Sequence, residues 1–225
     1  ALRVDNSVWW VEKDKEGAGI VRRSQGFTPT RISTTAVERF TKTATNLSAF
    51  SYQEQGETFY CLNADEGSWA YAIKAGEWCE RAWLNRETGE QERQRQEFHA
   101  YAYGKHMVFD HENGKVYRQG LDLYSDAGQE IRSTRVSQII GFGGRPVHIG
   151  ELWLDFASGV GLDGTGQGTD PQVMLRCSRD GSGFDNEHVE PLGAIGDYGA
   201  QVRFFDLGMG KYWVFEISVS DPVLK

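Results

Sequence analysis

The stretches VWWVEKDKEGAGIVRR (8–23), FYCLNADEGSWAYAIK (59–74) and MVFDHENGKVYRQ (107–119) share the pattern that decides the fold. In each, an apolar, aromatic-rich strand runs into a Gly-containing turn, and a second strand follows. The pattern returns about every 46 to 50 residues, more loosely near Trp153 and again near Phe204. A repeat of this length, built from strands rather than helices, is typical of a β-propeller blade. We therefore predict an all-β fold of propeller blades, each with about four antiparallel strands.

The composition suits many short strands joined by tight turns, since 27 of the 225 residues are Gly and only 5 are Pro. No run of about 18 apolar residues occurs, so no membrane-spanning helix is expected. The repeat is already under way at Ala1. We therefore expect residues 1–225 to be blades from the C-terminal part of a longer protein, and the propeller to be larger than this chain or incomplete within it. Because a blade is a structural unit, a scaffold or binding protein is expected before an enzyme.

Residues 48–85 show the blade most clearly, because four short strands alternate there with turns. They read SAFSYQEQ, ETFYCLNA, SWAYAIKA and EWCERAWLN. Residues 36–47 are rich in Thr and poor in helical apolar spacing, so we predict an outer strand. Residues 85–97 are the most polar stretch and are predicted to form a loop.

The second half of the chain offers strong turn signals. Asn113-Gly114 lies between alternating runs and predicts a β-hairpin. Residues 120–141 are expected to complete the same blade. Residues 157–170 are rich in Gly and poor in apolar side chains, which predicts a long flexible loop inside the domain. Four further strands are expected after it, at QVMLRCSRD, HVEPLG, AQVRFFDLG and KYWVFEISV.

The formal net charge of −8 argues against bulk attraction to nucleic acid, which relies on Lys and Arg neutralising phosphates. Basic residues cluster at 22–23, 86–95 and 132–135, but Glu, Gln or Ser is interleaved with them. We interpret these clusters as solvated surface.

The three cysteines, Cys61, Cys79 and Cys177, are odd in number and widely spaced, and no C-x-x-C occurs. We expect free thiols in a reducing compartment. A bridge between Cys61 and Cys79 across neighbouring strands stays open.

Four residues suggest a metal site at first sight. His106 and Asp110 could share one side of a strand while His111 faces away, and His99 could come near only through a hairpin partner. No ligand spacing typical of zinc is present. We interpret the four as turn and surface residues.

The run SRDGSGF (178–184) resembles an Asp-box, the S-x-D-x-G-x-x-W turn of sialidases and other propellers. In that turn the Ser and Asp side chains bond backbone amides and the aromatic ring packs beneath. Here the spacing to Phe184 is one residue short, and the aromatic residue is not Trp. Even in sialidases the box is structural, so it indicates a fold and not an activity.

No catalytic constellation is visible. A glycosidase needs two carboxylates across a pocket, and a sialidase also needs three converging arginines. Nothing ranks one pair above the others among the acidic candidates Glu151, Asp155, Asp180, Asp197 and Glu216. The chain has no G-x-S-x-G, no H-E-x-x-H and no P-loop. We assign no catalytic, cofactor-binding or metal-binding residue, and we predict that the chain is not an enzyme.

Four blocks fall in an order that points to one family, and they lie at residues 19–34, 101–136, 174–187 and 192–222. They read GIVRRSQGFTPTRIST, YAYGKHMVFDHENGKVYRQGLDLYSDAGQEIRSTRV, MLRCSRDGSGFDNE and LGAIGDYGAQVRFFDLGMGKYWVFEISVSDP. Together they resemble the packaged-DNA stabilization proteins of short-tailed, double-stranded DNA bacteriophages. The last block is the most specific. Two departures are Phe184-Asp185 in place of Trp-Ser, and LGMGKYW in place of the basic stretch expected before VFE.

The resemblance implies a virion tail protein, assembled in the cytoplasm of the host bacterium. Such proteins form a homo-oligomer, expected to be a hexameric ring, as a hub below the portal and its adaptor. They carry the needle or plug and nearby tailspikes, and they close the tail so that packaged DNA does not leak. The acidic charge adds the hypothesis that retention is mechanical and that the chain does not bind DNA tightly.

Two other functions stay open. One is a sialidase-like or lectin-like propeller that binds or cleaves host glycan. The other is a cellular propeller that serves as an interaction platform.

Overall fold

The computed structural model describes residues 1–15, 17 and 19–223, and 53% of the residues lie in strands. The prediction of an all-β fold is therefore confirmed. Glu16 and Ala18, which belong to the first repeat, lie outside the described residues, as do the last two residues of the chain. The chain divides into two compact units, unit 1 (Ala1–Leu121) and unit 2 (Asp122–Lys225).

Unit 1 begins with a four-stranded antiparallel sheet whose strands follow chain order. The strands are β1 (Leu2–Val4), β2 (Ser7–Lys13), β3 (Gly19–Gln25) and β4 (Thr28–Arg31). The first repeat is the β2–β3 hairpin, in which Trp9 is paired with Arg23. Trp9 and Val21 are fully buried, so one face of this sheet builds the core of the unit.

The only helix among the described residues is α1 (Thr35–Thr43). The prediction of an outer strand over 36–47 was therefore wrong. Val37, Phe40 and Thr41 fall on one helical stripe that packs on the core, and the Thr41 hydroxyl donates to a backbone carbonyl of β3 at 2.6 Å. These tertiary contacts stabilise a helix that Thr-rich sequence disfavours in isolation.

The second sheet contains the four strands expected between residues 48 and 85, and it adds a fifth. The strands are β5 (Ser48–Glu54), β6 (Glu57–Ala64), β7 (Gly67–Ala72), β8 (Glu77–Leu84) and β9 (Gln91–Arg93), in chain order. The loop predicted over 85–97 is thus shorter. Asn85 closes the turn, because its side chain accepts the backbone N–H of Glu87 and donates to the carboxylate of Glu92. The chain then pairs with β8 as strand β9.

The third sheet of unit 1 has three strands, and it confirms the hairpin predicted at Asn113-Gly114. The strands are β10 (Gln96–Ala102), β11 (Lys105–Asp110) and β12 (Val116–Gln119). The carboxylate of Asp110 accepts the backbone N–H groups of Glu112 and Asn113, which fixes the turn.

Unit 2 is built from shorter strands with long connections. They are β13 (Ser125–Asp126), β14 (Gln129–Glu130), β15 (Ser133–Val136), β16 (Ile140–Gly141), β17 (Val147–Leu154), β18 (Gln172–Ser178), β19 (His188–Pro191), β20 (Val202–Gly210) and β21 (Tyr212–Val219). Strands β15, β21, β18 and β19 form a sheet in that order, with β16 also on β21. The four strands expected after the Gly-rich loop are confirmed.

Two predictions for unit 2 were wrong. Residues 120–141 do not complete the preceding blade, because both β15 and β16 pair with the last strand of the chain. Trp153 and Phe204 do not begin separate repeats either. They lie on β17 and β20, which pair with each other as a two-stranded ribbon. In both cases the partner strand is distant in sequence.

Residues 157–170 contain no helix or strand, as predicted, but several of their glycines allow close packing. A Cβ added at Gly161 would lie 2.7 Å from the backbone nitrogen of Ile195. The loop also bonds itself, since the Leu162 N–H donates to the carbonyl of Gly168 at 2.7 Å. Glycine here serves close approach of backbones.

Of the described residues, none form a helix with the length and apolarity that crossing a membrane requires.

Candidate functional site

The outward side of the β17–β20 ribbon is an exposed apolar surface of unit 2. Trp153 is paired with Arg203, and Glu151 with Phe205, and directly opposed residues of antiparallel strands project to the same side. Trp153 and Phe205 are each 59% exposed, and Met209 further along β20 is 63% exposed. The opposite side of the ribbon packs on the core of the unit.

Charged groups frame this surface. The Arg203 guanidinium lies 5.1 Å from the ring centre of Trp153 and 3.4 Å from the carboxylate of Glu151. Asp155 at the end of β17 and Asp206 on β20 are exposed as well. We call the set Glu151, Trp153, Asp155, Phe205, Asp206 and Met209 the ribbon face.

Unit 1 presents a second exposed apolar surface, on the β10–β12 sheet. Phe98, Phe109 and Val116 stand directly opposite one another on the three strands, and each is exposed. The other side of this sheet packs on unit 1, where the His99 ring lies 5.5 Å from the ring of Tyr52.

The charged positions on the exposed side of these described strands are Lys105 and Arg118, both basic. We call Phe98, Lys105, Phe109, Val116 and Arg118 the basic row. The basic row was not predicted from the sequence. The alternation at Phe98, Ala100 and Ala102 is a signal of a two-faced strand, but it does not show which face stays exposed.

The Asp-box resemblance is confirmed in its hydrogen bonds. The Asp180 carboxylate accepts the backbone N–H groups of Ser182 at 2.9 Å and Gly183 at 3.2 Å, and the Ser178 hydroxyl accepts that of Gly181. The Ser182 amide, with the other donors, lowers the pKa of Asp180 to about 2. Phe184 departs from the box, because it lies half-exposed, 5.1 Å from the guanidinium of Arg176, and does not pack beneath the turn.

The arginines near this turn are held by structural partners. Arg179 donates to the carbonyl of Leu207 at 2.8 Å and pairs with Asp185 at 3.0 Å. Arg176 pairs with Glu216 at 3.1 Å. Arg132 pairs with a third carboxylate and also donates to the hydroxyl of Ser218. These three arginines are therefore engaged with partners within the chain.

The carboxylates singled out in the sequence are partly engaged as well. Glu216 and Glu151 each form an ion pair with an arginine, and Asp180 holds its own turn. The structure ranks none of them, nor Asp155 or Asp197, as a general acid–base pair.

The four metal candidates separate into two groups. Nε2 of His99 and Nδ1 of His106 lie 2.9 Å apart across the β10–β11 hairpin, and burial followed by the charge of His106 lowers the pKa of His99. Asp110 instead pairs with Arg95 at 3.0 Å, and the His111 amide donates to the Arg95 carbonyl. Within residues 1–15, 17 and 19–223, no three His, Cys, Asp or Glu side chains are arranged to hold a metal ion.

All three cysteines are free thiols. Ala70 of β7 pairs with Cys61 on one side and with Cys79 on the other, so their strands are not neighbours. Two strand spacings put the Cα atoms about 10 Å apart, beyond the reach of a disulfide. Burial raises the pKa of Cys61 to about 12 and that of Cys177 to about 11, whereas Cys79 is exposed.

Comparison with protein-family models finds no match to the chain, and comparison with curated proteins finds no match either. The resemblance to phage packaged-DNA stabilization proteins therefore stays a prediction that rests on the four sequence blocks. The candidate functional surfaces are the ribbon face and the basic row.

Proposed function

We propose that this chain is a structural subunit in the tail of a short-tailed phage. It would be part of the hub below the portal and its adaptor, and this hub closes the tail and retains packaged DNA. The observation that carries the proposal, beside the sequence blocks, is the pair of exposed apolar sheet faces. Exposed apolar faces of this kind mark protein–protein contact sites on soluble proteins. A hub needs several such faces, because it meets the adaptor, the needle or plug, the tailspikes and its own copies.

The propeller architecture belongs to the same proposal. The three repeats lie in three consecutive antiparallel sheets, β1–β4, β5–β9 and β10–β12, and in each the strands follow chain order. Propeller blades are four-stranded antiparallel sheets, and these meanders of four, five and three strands are close to that size. We propose that they are blades of a larger or incomplete propeller in a longer protein. The interleaved strand order of unit 2 departs from this pattern.

Retention of DNA is proposed to be mechanical. Unit 2 carries fifteen Asp and Glu against eight Lys and Arg, a formal charge of −7, whereas unit 1 carries seventeen against sixteen. Phosphates are repelled by such a surface, so closure of the ring by its plug holds the genome, and an acidic lining keeps DNA from sticking during ejection. The proposed setting is the virion, with assembly as a hexameric ring in the host cytoplasm.

A gel shift with linear duplex DNA at low salt tests the mechanical part. We expect no retarded band at protein concentrations where a basic DNA-binding protein, run as the control, retards all of the duplex. Tight binding that weakens steeply with added salt would contradict the proposal that DNA retention is mechanical, because it would show that this chain neutralises phosphates.

The second candidate is glycan binding of the lectin or sialidase-like kind, and Trp153 is the observation that favours it. An exposed indole flanked by Glu151 and Arg203 offers a stacking surface with hydrogen-bonding groups at its edge. A glycan array with the native chain and the Trp153→Ala variant tests binding, and a fluorogenic sialoside tests cleavage. Specific signal on the array that Trp153→Ala abolishes, or measurable turnover, would favour this candidate over the structural one.

A further inference from the structure

We infer that the basic row of one copy docks on the ribbon face of a second copy of this chain. The inference rests on the proposed ring, and it names the contact that builds it. The two surfaces are exposed apolar sheet faces, one on each unit. Each contains three large apolar side chains, which are Phe98, Phe109 and Val116 on the row and Trp153, Phe205 and Met209 on the ribbon face.

Charge complementarity identifies the occupant. The charged strand positions of the basic row are Lys105 and Arg118, and Arg118 also interacts within its own chain. The ribbon face offers three exposed carboxylates, those of Glu151, Asp155 and Asp206. The neighbouring Arg203 pairs with Glu151, so Asp155 and Asp206 supply the net negative charge. Like charges across an interface oppose association and opposite charges favour it, so each surface fits the other better than it fits itself. A symmetric dimer through either surface alone is therefore disfavoured.

Both surfaces are faces of antiparallel strands. The row crosses three strands, a width of about 10 Å, and the ribbon is two strands wide. Two sheets pack face to face at about 10 Å when the outward side chains of both are apolar and interdigitate. In the row the three apolar side chains form one line across neighbouring strands. In the ribbon Phe205 and Met209 lie along β20, and Trp153 lies diagonally opposite Phe205 on β17.

Because the two surfaces differ and lie on different units of one chain, the association is head-to-tail. A head-to-tail contact leaves one free surface at each end of every assembly, so it gives a closed ring where the rotation closes and an open filament where it does not. This is the contact type that a ring requires. A two-fold symmetric contact would stop at the dimer.

Matched Phe→Asp variants test the inference by sedimentation velocity over a concentration series. Phe98→Asp places a charge in the row and should prevent the row from docking, and Phe205→Asp does the same for the ribbon face. Phe27→Asp is the control, since Phe27 is fully exposed on a turn outside both surfaces. We expect the native chain and the control to associate, and each of the other two variants to weaken association roughly 30-fold or more, as loss of a central aromatic anchor does. Circular dichroism confirms that each variant is folded.

The decisive arm mixes the two defective variants. Phe98→Asp retains its ribbon face and Phe205→Asp retains its row, so we expect the mixture to form a one-to-one dimer that grows no further. Lys105→Glu, a milder change, is expected to weaken association of the native chain and to reduce its dependence on salt.

Three outcomes overturn the inference. They are a native chain that stays monomeric at its highest soluble concentration, an oligomer that both variants leave intact, and a mixture of the two variants that stays monomeric. None of them touches the proposed function, because a chain that still restores DNA retention to phage particles would remain a tail protein that meets its copies elsewhere.

Discussion

Gly210, at the corner between β20 and β21, is predicted to tolerate no side chain. A Cβ there would lie 2.8 Å from Cε2 of Trp213, 2.9 Å from its Nε1 and 3.0 Å from the Cβ of Arg179. Trp213 is fully buried, stacked on Phe215 with ring centres 5.7 Å apart, and covered by the Arg179 guanidinium on the ring face. The indole therefore has no free direction in which to move.

Gly210→Ala is expected to destabilise the fold by about 2 kcal/mol, the middle of the range for overpacking a dense core. For a chain of this length that corresponds to a fall in Tm of roughly 4–8 °C. Urea unfolding followed by near-ultraviolet circular dichroism, together with calorimetry, measures both quantities. Gly166→Ala is the matched control, since nothing lies within 4 Å of its added Cβ, and it is expected to change stability by no more than about 0.5 kcal/mol. A Gly210→Ala protein as stable as the control would refute the packing described for the β20–β21 corner.

Three further predictions concern titration and reactivity. The carboxyl group of Asp180 should titrate at about pH 2 in carbon-detected NMR of the folded chain, and the stability that it contributes should disappear as pH falls from about 3.8 towards 2, since its pKa is lowered on folding; a midpoint near 4 would contradict the turn geometry. His99 has its pKa lowered on folding, so the unfolded chain binds the extra proton and stability should fall as pH drops through about 6.5. In the His99→Gln variant the free energy of unfolding, measured by denaturation between pH 5 and 8, should depend less on pH. An unchanged pH dependence would show that folding does not lower the pKa of His99. In the native chain a maleimide should label Cys79 rapidly and Cys61 only after unfolding, which mass spectrometry of peptides reads directly; equal labelling would contradict the burial of Cys61.

Local features of the fold were predictable because their causes are local. The turn at Asn113-Gly114 forms where the sequence indicates it, since Gly114 takes the positive φ that the turn requires. The Asp180 turn was predictable for a similar reason, because its hydrogen bonds join residues within three positions of one another.

Features that depend on distant residues were not predictable. Val136 pairs with Glu216, some 80 positions later, and no periodicity within residues 120–141 indicates that partner. Helix α1 forms because its Val37 stripe packs on the unit 1 core, a contact that Thr-rich sequence conceals.

The candidate surfaces show the same limit. An alternating pattern marks β10 as a strand with two faces, but only the packing of His99 against Tyr52 decides that Phe98 faces outward. Trp153 was visible as part of a weak repeat. Its exposure follows from the pairing of β17 with β20, which brings Leu152 and Phe204 together on the core side.

The closure of the tail by this protein is tested by measuring nuclease-resistant DNA in phage particles assembled without it. We expect such particles to package DNA and then lose it, and the purified full-length protein, added before nuclease treatment, to restore resistance. The Phe27→Asp change in that protein should restore resistance equally well. Particles that keep their genome nuclease-resistant without the protein would contradict the claim that it closes the tail.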